Sequence, residues 1–126
     1  MKFTTSIHCM DGRIQEPIIK HLKDEYNTSY VDAITEAGPC KIIAEGSATK
    51  TIDSIIKRTN LSIDKHGSTL IAISGHHDCA GNPTSPKQHL QQIKKSVLFL
   101  KNTFPKIKVV GLWIDSRWQI NKLSNP

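Results

Sequence analysis

The chain has 126 residues, of which 37% are hydrophobic and 22% are charged, and its formal net charge is +6. This mix is typical of a globular protein, so disorder, collagen-like repeats and coiled coils are excluded, and no apolar run approaches the roughly 20 residues of a membrane helix. The length predicts a single domain over residues 1–126, large enough to bury a hydrophobic core. The N-terminus lacks the pattern of a signal peptide, so the sequence predicts a cytoplasmic protein.

The first half of the chain alternates between strand-like and helix-like patterns. Phe3–Cys9 is predicted to be a strand that ends in a turn, and Pro17 is predicted in the first turn of a short helix. Residues 30–35 are predicted to be a second strand, closed by Gly38-Pro39. A longer helix with Gly67 as its C-cap follows. Its inner face is predicted from residues at helical spacing: Ile52, Ile55, Ile56, Thr59 and Ile63.

The second half continues the same alternation. Residues 70–74 form a short apolar run typical of a buried strand, and residues 75–86 are predicted to be a loop. A helix capped by Ser85 comes next, and residues 107–114 are predicted to be the last strand. The apolar face of that helix is the clearest in the sequence: Leu90, Ile93, Val97, Leu100 and Phe104. Strands that alternate with helices predict an α/β fold with a central, mainly parallel sheet flanked by helices.

The cysteines are the first sign of chemistry. There are three of them, Cys9, Cys40 and Cys79. An odd number without a signal peptide favours thiols, metal ligands or a nucleophile over a disulfide framework. Cys40 follows the Gly38-Pro39 pair, and we expect it to be a free thiol without a role.

Two clusters of polar residues follow two of the predicted strands. Cys9-Met10-Asp11-Gly12-Arg13 comes directly after the first strand, and Gly75-His76-His77-Asp78-Cys79 follows the strand at residues 70–74. Ligands of parallel sheets bind at the carboxyl ends of the strands, so the two clusters meet if these strands are neighbours. Two thiolates and one imidazole suit tetrahedral zinc, and three protein ligands leave the fourth position that catalytic zinc sites keep open.

The two clusters in this order resemble the β-class carbonic anhydrases. That family has a C-x-D-x-R motif after its first strand and a G-H-x-x-C motif after its third, and Glu36-Ala37-Gly38-Pro39 falls where the family has an Ala-Gly loop. The resemblance runs from about residue 3 to residue 114 and implies a core strand order of 2-1-3-4. It also implies that Cys9, His76 and Cys79 bind Zn²⁺.

The same resemblance implies the reaction and the roles of two further residues. A zinc-bound hydroxide would attack CO₂ to give bicarbonate, and the carboxylate of Asp11, held by Arg13, would orient that hydroxide. In some family members the arginine releases the aspartate, which then takes the fourth zinc position, and the sequence leaves both states open. Only eight residues precede Cys9. We therefore expect a short, divergent branch of the family without its N-terminal helical arm, and a homodimer.

Other functions remain open at this point. The same site could hydrolyse carbonyl sulfide or carbon disulfide, or hold zinc or an anion without turnover. Residues 80–114 contain six lysines and no acidic residue, which suggests nucleic-acid binding as a further hypothesis. The sequence has no recognised nucleic-acid motif, however, and we expect no nucleic acid to bind. His77 is expected to be a solvated loop residue, with a proton shuttle as the alternative. His8 alternates with Cys9 along the strand and is expected to face away from the site.

Overall fold

The computed structural model describes residues 2–123 of the chain. In this range the elements follow one another in the order β1 (Phe3–Cys9), α1 (Gly12–Tyr26), β2 (Tyr30–Glu36), α2 (Pro39–Glu45), α3 (Thr49–His66), β3 (Leu70–His76), α4 (Pro86–Thr103), β4 (Lys108–Ile114) and β5 (Ile120–Lys122). None of these helices combines the length and the apolar composition needed to cross a membrane.

The strands form one sheet in the order β2-β1-β3-β4-β5. β1 pairs in parallel with both β2 and β3, and β3 pairs in parallel with β4. The predicted α/β class and the core order 2-1-3-4 are therefore confirmed. This order makes β1 and β3 neighbours, so the two clusters of polar residues emerge at the same edge of the sheet.

The apolar core lies on both faces of the sheet. On one face α2, α3 and α4 cover residues such as Ile71 and Ile73, and on the other face α1 covers residues such as Leu70 and Ala72. The successive residues of β3 therefore face opposite layers, and all seven residues of this strand are buried. A strand covered on both faces reads as a continuous apolar run, which is why it could be predicted from the sequence.

The predicted start of the first helix is wrong. α1 begins at Gly12, and Pro17 lies inside it rather than in its first turn. The side chain of Asp11 caps the helix by accepting a hydrogen bond of 2.9 Å from the backbone N–H of Arg13. This cap satisfies a free donor of the first turn and sets the start of the helix five positions before the proline.

Two short elements were not predicted, and β3 is longer than expected. The seven-residue helix α2 starts at Pro39, so Cys40 lies in a helix rather than in a loop. The three-residue strand β5 pairs antiparallel with β4. β3 extends to His76, two residues beyond the predicted run. Elements this short carry too few apolar positions to show a period in the sequence.

The two long helices agree with the patterns that predicted them. Gly67 ends α3 with φ of 69°, and its backbone N–H donates to the carbonyl of Ile63. The side chain of Ser85 caps α4 by accepting from the backbone N–H of Gln88 at 3.2 Å. Both helices have local start or stop signals, and this is why the sequence places them well.

Candidate metal centre

Three side chains converge where β1 and β3 end. Cys9 is the last residue of β1, His76 is the last residue of β3, and Cys79 lies in the turn that follows. Their ligand atoms all lie within 4.8 Å of one another, and all three residues are buried. The two sulfur atoms are 3.8 Å apart. The structure thus brings together the three residues that the sequence singled out as metal ligands.

The imidazole of His76 is held in one orientation. Its Nδ1 lies 2.7 Å from the backbone carbonyl of His77, and because a carbonyl only accepts, this nitrogen carries the hydrogen. The other nitrogen, Nε2, is buried and has no hydrogen-bond partner within residues 2–123. A buried nitrogen without a partner is unfavourable, so Nε2 has the character of a metal donor. The hydrogen bond of Nδ1 to the backbone fixes the tautomer that leaves the lone pair of Nε2 free.

The pKa values of the thiols of Cys9 and Cys79 are shifted in opposite directions. The hydrogen bond from Cys79 lowers the pKa of Cys9, and the backbone N–H groups of Gly38 and Asp11 act in the same direction against the effect of burial. The hydrogen bond to Cys9 and burial together raise the pKa of Cys79. The hydrogen bond between the two sulfurs therefore favours the thiolate at Cys9 over the thiolate at Cys79, and a bound cation would favour loss of the second thiol proton.

The loop after β2 packs directly on the turn that contains Cys79. Gly38 has φ of 70°, and a Cβ atom at this position would lie 2.8 Å from the carbonyl oxygen of Gly81. A Cβ atom at Gly81 would lie 2.6 Å from the carbonyl carbon of Ala37. Only glycine fits at both positions, and the close approach allows the N–H of Gly38 to reach the sulfur of Cys9.

Asp11 and Arg13 form an ion pair beside the cluster. The Arg13 Nη2 donates to Asp11 Oδ2 at 2.7 Å, and its Nε donates to Asp11 Oδ1 at 3.1 Å. These bonds lower the pKa of Asp11 to about 2, so its carboxylate is ionised throughout the physiological range. Asp11 Oδ2 lies 4.0 Å from Nε2 of His76. The carboxylate therefore borders the cluster while its oxygens are engaged by Arg13.

The loop that carries Cys9 and Asp11 is also fixed from the side of α1. Gln15 Nε2 donates to the backbone carbonyls of Cys9 at 3.0 Å and Asp11 at 2.7 Å. Its Oε1 lies 2.7 Å from Nε2 of His8, which is fully buried and bonded through Nδ1 to Ser6. His8 thus faces α1, as the alternation along β1 predicts. The sequence showed no sign that Gln15 supports the site.

Comparison with known proteins identifies the family. A protein-family model described as "Putative carbonic anhydrase" matches residues 1–124. The chain belongs to this family. A search of the curated proteins finds no match.

Solved structures of β-carbonic anhydrases share the fold. The isoform I enzyme of Trichomonas vaginalis is 18% identical with a TM-score of 0.63, and the alignment covers 96% of this chain and 82% of that one. A structure from a study of two tetrameric enzymes of Sordaria macrospora is 12% identical with a TM-score of 0.65, covering 98% and 80%. The Aspergillus fumigatus enzyme is 15% identical with a TM-score of 0.52, covering 99% and 77%. The resemblance to β-carbonic anhydrases inferred from the two motifs is confirmed.

A cleft next to the cluster contains a histidine that the sequence did not suggest. The cleft of this carbonic anhydrase family member has a volume of about 520 Å³, and its wall includes His76, Cys79, His89 and Trp113. The ring centres of His89 and Trp113 are 5.1 Å apart. A Cβ atom at Gly75 would collide with the ring of His89. Burial lowers the pKa of His89 to about 4, so its imidazole is neutral at pH 7.

The other residues considered from the sequence lie outside the cluster. Cys40 is fully buried, its Sγ donates to the carbonyl of Ser74 at 3.1 Å, and burial raises the pKa of its thiol. His77 is exposed, as expected of a solvated loop residue. Glu36, the last residue of β2, pairs with Arg58 of α3. These residues surround the site without contributing to the group of potential ligands.

Proposed function

We propose that this protein catalyses the reversible hydration of CO₂ to bicarbonate with a zinc ion held by Cys9, His76 and Cys79. The observation that carries the proposal is the convergence of these three buried donors beside an ionised Asp11–Arg13 pair. Membership of the carbonic anhydrase family supports the same reaction.

The donor set fits zinc. Two sulfurs and one imidazole nitrogen are ligands that Zn²⁺ prefers, and the buried Nε2 of His76 lacks any other partner within the described residues. Three protein donors rather than four are typical of a catalytic site. Zinc would supply Lewis-acid chemistry there, lowering the pKa of water toward neutrality.

The chain itself would orient the reaction. Asp11 stays ionised, so its oxygen can accept a hydrogen bond from the attacking water oxygen and direct a lone pair of that oxygen toward the carbon of CO₂. Arg13 fixes the carboxylate through three hydrogen bonds from its side chain, two from Nε and one from Nη2. The new bond joins the water oxygen to the carbon, one π electron pair of CO₂ moves to an oxygen, and the released proton passes to buffer.

The test is stopped-flow CO₂ hydration across pH on protein whose zinc content is quantified in the same sample. We expect activity that rises with pH, and an Asp11→Asn variant that keeps zinc and loses at least about a hundredfold in rate. Asp24→Asn is the matched control, because Asp24 is an exposed carboxylate whose ion pair within residues 2–123 is with Lys20 on α1.

Two results would count against the proposal. Zinc near one atom per chain without CO₂ hydration would refute the activity, and hydrolysis of carbonyl sulfide or carbon disulfide and anion binding would then be measured on the same sample. Unchanged turnover in Asp11→Asn would refute the role of the carboxylate.

We propose in addition that the protein is a homodimer. β2 lies at the edge of the sheet without a second neighbour among residues 2–123, and Tyr30 at its start is 49% exposed. An open strand edge is a place where a second chain can pair. Sedimentation that shows only monomer at high concentration would contradict this proposal. The cytoplasmic location stays a prediction from the sequence.

A further inference from the structure

The guanidinium group of Arg13 contacts two residues whose backbone is strained. Three non-glycine residues within residues 2–123 have positive φ, namely Asn27, Asp78 and Trp118. Asn27 is the C-cap of α1, where a left-handed residue is ordinary. The other two, with φ of 57° and 61°, both touch Arg13. Strained residues persist only where the surrounding structure enforces them, and they gather at functional sites.

Trp118 contacts the face of the Arg13 guanidinium plane, and Asp78 accepts hydrogen bonds at its edge. The guanidinium carbon lies 4.6 Å from the centre of the Trp118 ring, which is a cation–π contact. Nη1 donates to the Asp78 carboxylate at 3.3 Å, and Nη2 donates to the Asp78 carbonyl at 3.1 Å. Nε and Nη2 also donate to the carboxylate of Asp11.

The turn between β4 and β5 enforces the conformation of Trp118. One carboxylate oxygen of Asp115 accepts from the backbone N–H groups of Arg117 at 2.9 Å and Gln119 at 3.0 Å. The backbone N–H of Trp118 donates to the Asp115 carbonyl at 2.9 Å. Asn121 donates to the other carboxylate oxygen of Asp115 at 3.0 Å. Hydrogen bonds among residues 115–121 therefore fix the position of the indole beside Arg13.

Solvent reaches the ion pair between Arg13 and Asp11, and the contacts with Asp78 and Trp118 add to it. The Arg13 side chain is 48% exposed, so solvent and salt screen its ion pair with Asp11. If Arg13 left, the carboxylate of Asp11 would stand 4.0 Å from Nε2 of His76 with its negative charge free. A carboxylate is itself a zinc ligand, so it would compete for the position that water needs.

We infer that Trp118 is a positioning residue. The β4–β5 turn holds its indole against the guanidinium of Arg13. This contact keeps Arg13 paired with Asp11, and the paired Asp11 does not bind the metal. This inference rests on the proposed zinc site. It assigns a function to a turn and a strand that the sequence did not predict.

The test follows the side-chain Nε–H of Arg13 by ¹⁵N NMR on zinc-loaded protein. The chain has only three arginines, Arg13, Arg58 and Arg117, so the Nε signals are few, and Arg13→Lys identifies the one that matters. Trp118→Gly removes the indole, and glycine adopts φ of 61° without strain, so the turn is kept. Trp118→Phe restores an aromatic face, and Arg117→Gln is the matched control in the same turn.

We expect solvent exchange of the Arg13 Nε–H to speed up by roughly two- to fivefold in Trp118→Gly, the range that corresponds to a cation–π contact at an exposed site. The phenylalanine variant should recover most of the protection, and the Arg117 variant should match the parent protein. In CO₂ hydration, Trp118→Gly should lower kcat with little change in KM, because Asp11 orients the reacting group.

An exchange rate in Trp118→Gly that equals that of the parent protein within experimental error would overturn the inference, because the indole would then contribute nothing to holding Arg13. Equal loss of protection in Trp118→Phe and Trp118→Gly would overturn it too, because it would mark a packing effect rather than an aromatic one. The exchange rates are measured whether or not the protein hydrates CO₂. Failure of the inference is therefore distinguishable from failure of the proposed function.

Discussion

Replacing Gly38 by alanine should destabilise the protein and weaken its zinc site. Two costs add. Alanine at φ of 70° costs about 1–2 kcal/mol relative to glycine. Its Cβ would also lie 2.8 Å from the carbonyl oxygen of Gly81, and because the obstacle is backbone, the two loops must separate. Overpacking of this kind costs about 1–3 kcal/mol, so we expect a total loss of about 2–5 kcal/mol.

Gly46 provides a matched control for this prediction. It has φ of 73°, almost the same as Gly38, but no atom of the described residues lies within 4 Å of a Cβ atom built on it. Gly46→Ala should therefore lose only the backbone cost of about 1–2 kcal/mol. The difference between the two variants isolates the contact between the loops.

The assay is urea unfolding of zinc-free protein, followed by zinc competition with a chelator. Gly38→Ala should also bind zinc more weakly, because separation of the loops removes the N–H of Gly38 from the Cys9 sulfur. If Gly38→Ala and Gly46→Ala agree within about 0.5 kcal/mol, the contact with Gly81 does not constrain the site, and the reasoning fails.

Three further predictions test the surroundings of the cluster. Cys79→Ser should lose zinc while Cys40→Ser keeps it, because Cys79 belongs to the group of potential ligands and Cys40 does not. Full zinc occupancy in Cys79→Ser would reject the ligand assignment. Gln15→Leu should weaken zinc binding by about ten- to a hundredfold, since it releases two carbonyls of the ligand loop and leaves Nε2 of buried His8 without its partner. Unchanged affinity would show that this support is dispensable. The pKa of His89 falls from 6.5 unfolded to about 4 folded, so its contribution to stability is complete above pH 6.5 and lost as the pH falls toward 4, by at most about 3 kcal/mol. His89→Gln should flatten that part of the pH dependence in urea unfolding of zinc-free protein, and an unaltered slope would contradict the assignment.

The sequence alone determined the secondary-structure elements that depend on local signals, namely helix caps and the spacing of apolar residues. The bounds of β1 agree with the prediction, and α3 and α4 follow their caps and apolar spacing. The sequence also indicated the potential ligands, because the two clusters lie at the ends of predicted strands and the resemblance to the β-class carbonic anhydrases implied that these strands are neighbours. Local preference and periodicity act over a few residues, so a single sequence displays them.

Only the tertiary structure decided how the cluster is supported. Arg13 meets Asp78 across 65 residues of chain, Gly38 meets Gly81, and Trp118 reaches Arg13 from a turn without a recognisable pattern. His89 lies beside the cleft only because Gly75 has no side chain. Such contacts join segments with no shared periodicity, and they form only when the sheet has set the distance between them. Their energies depend on that geometry and not on the residue types alone, so these contacts could not be read from the sequence.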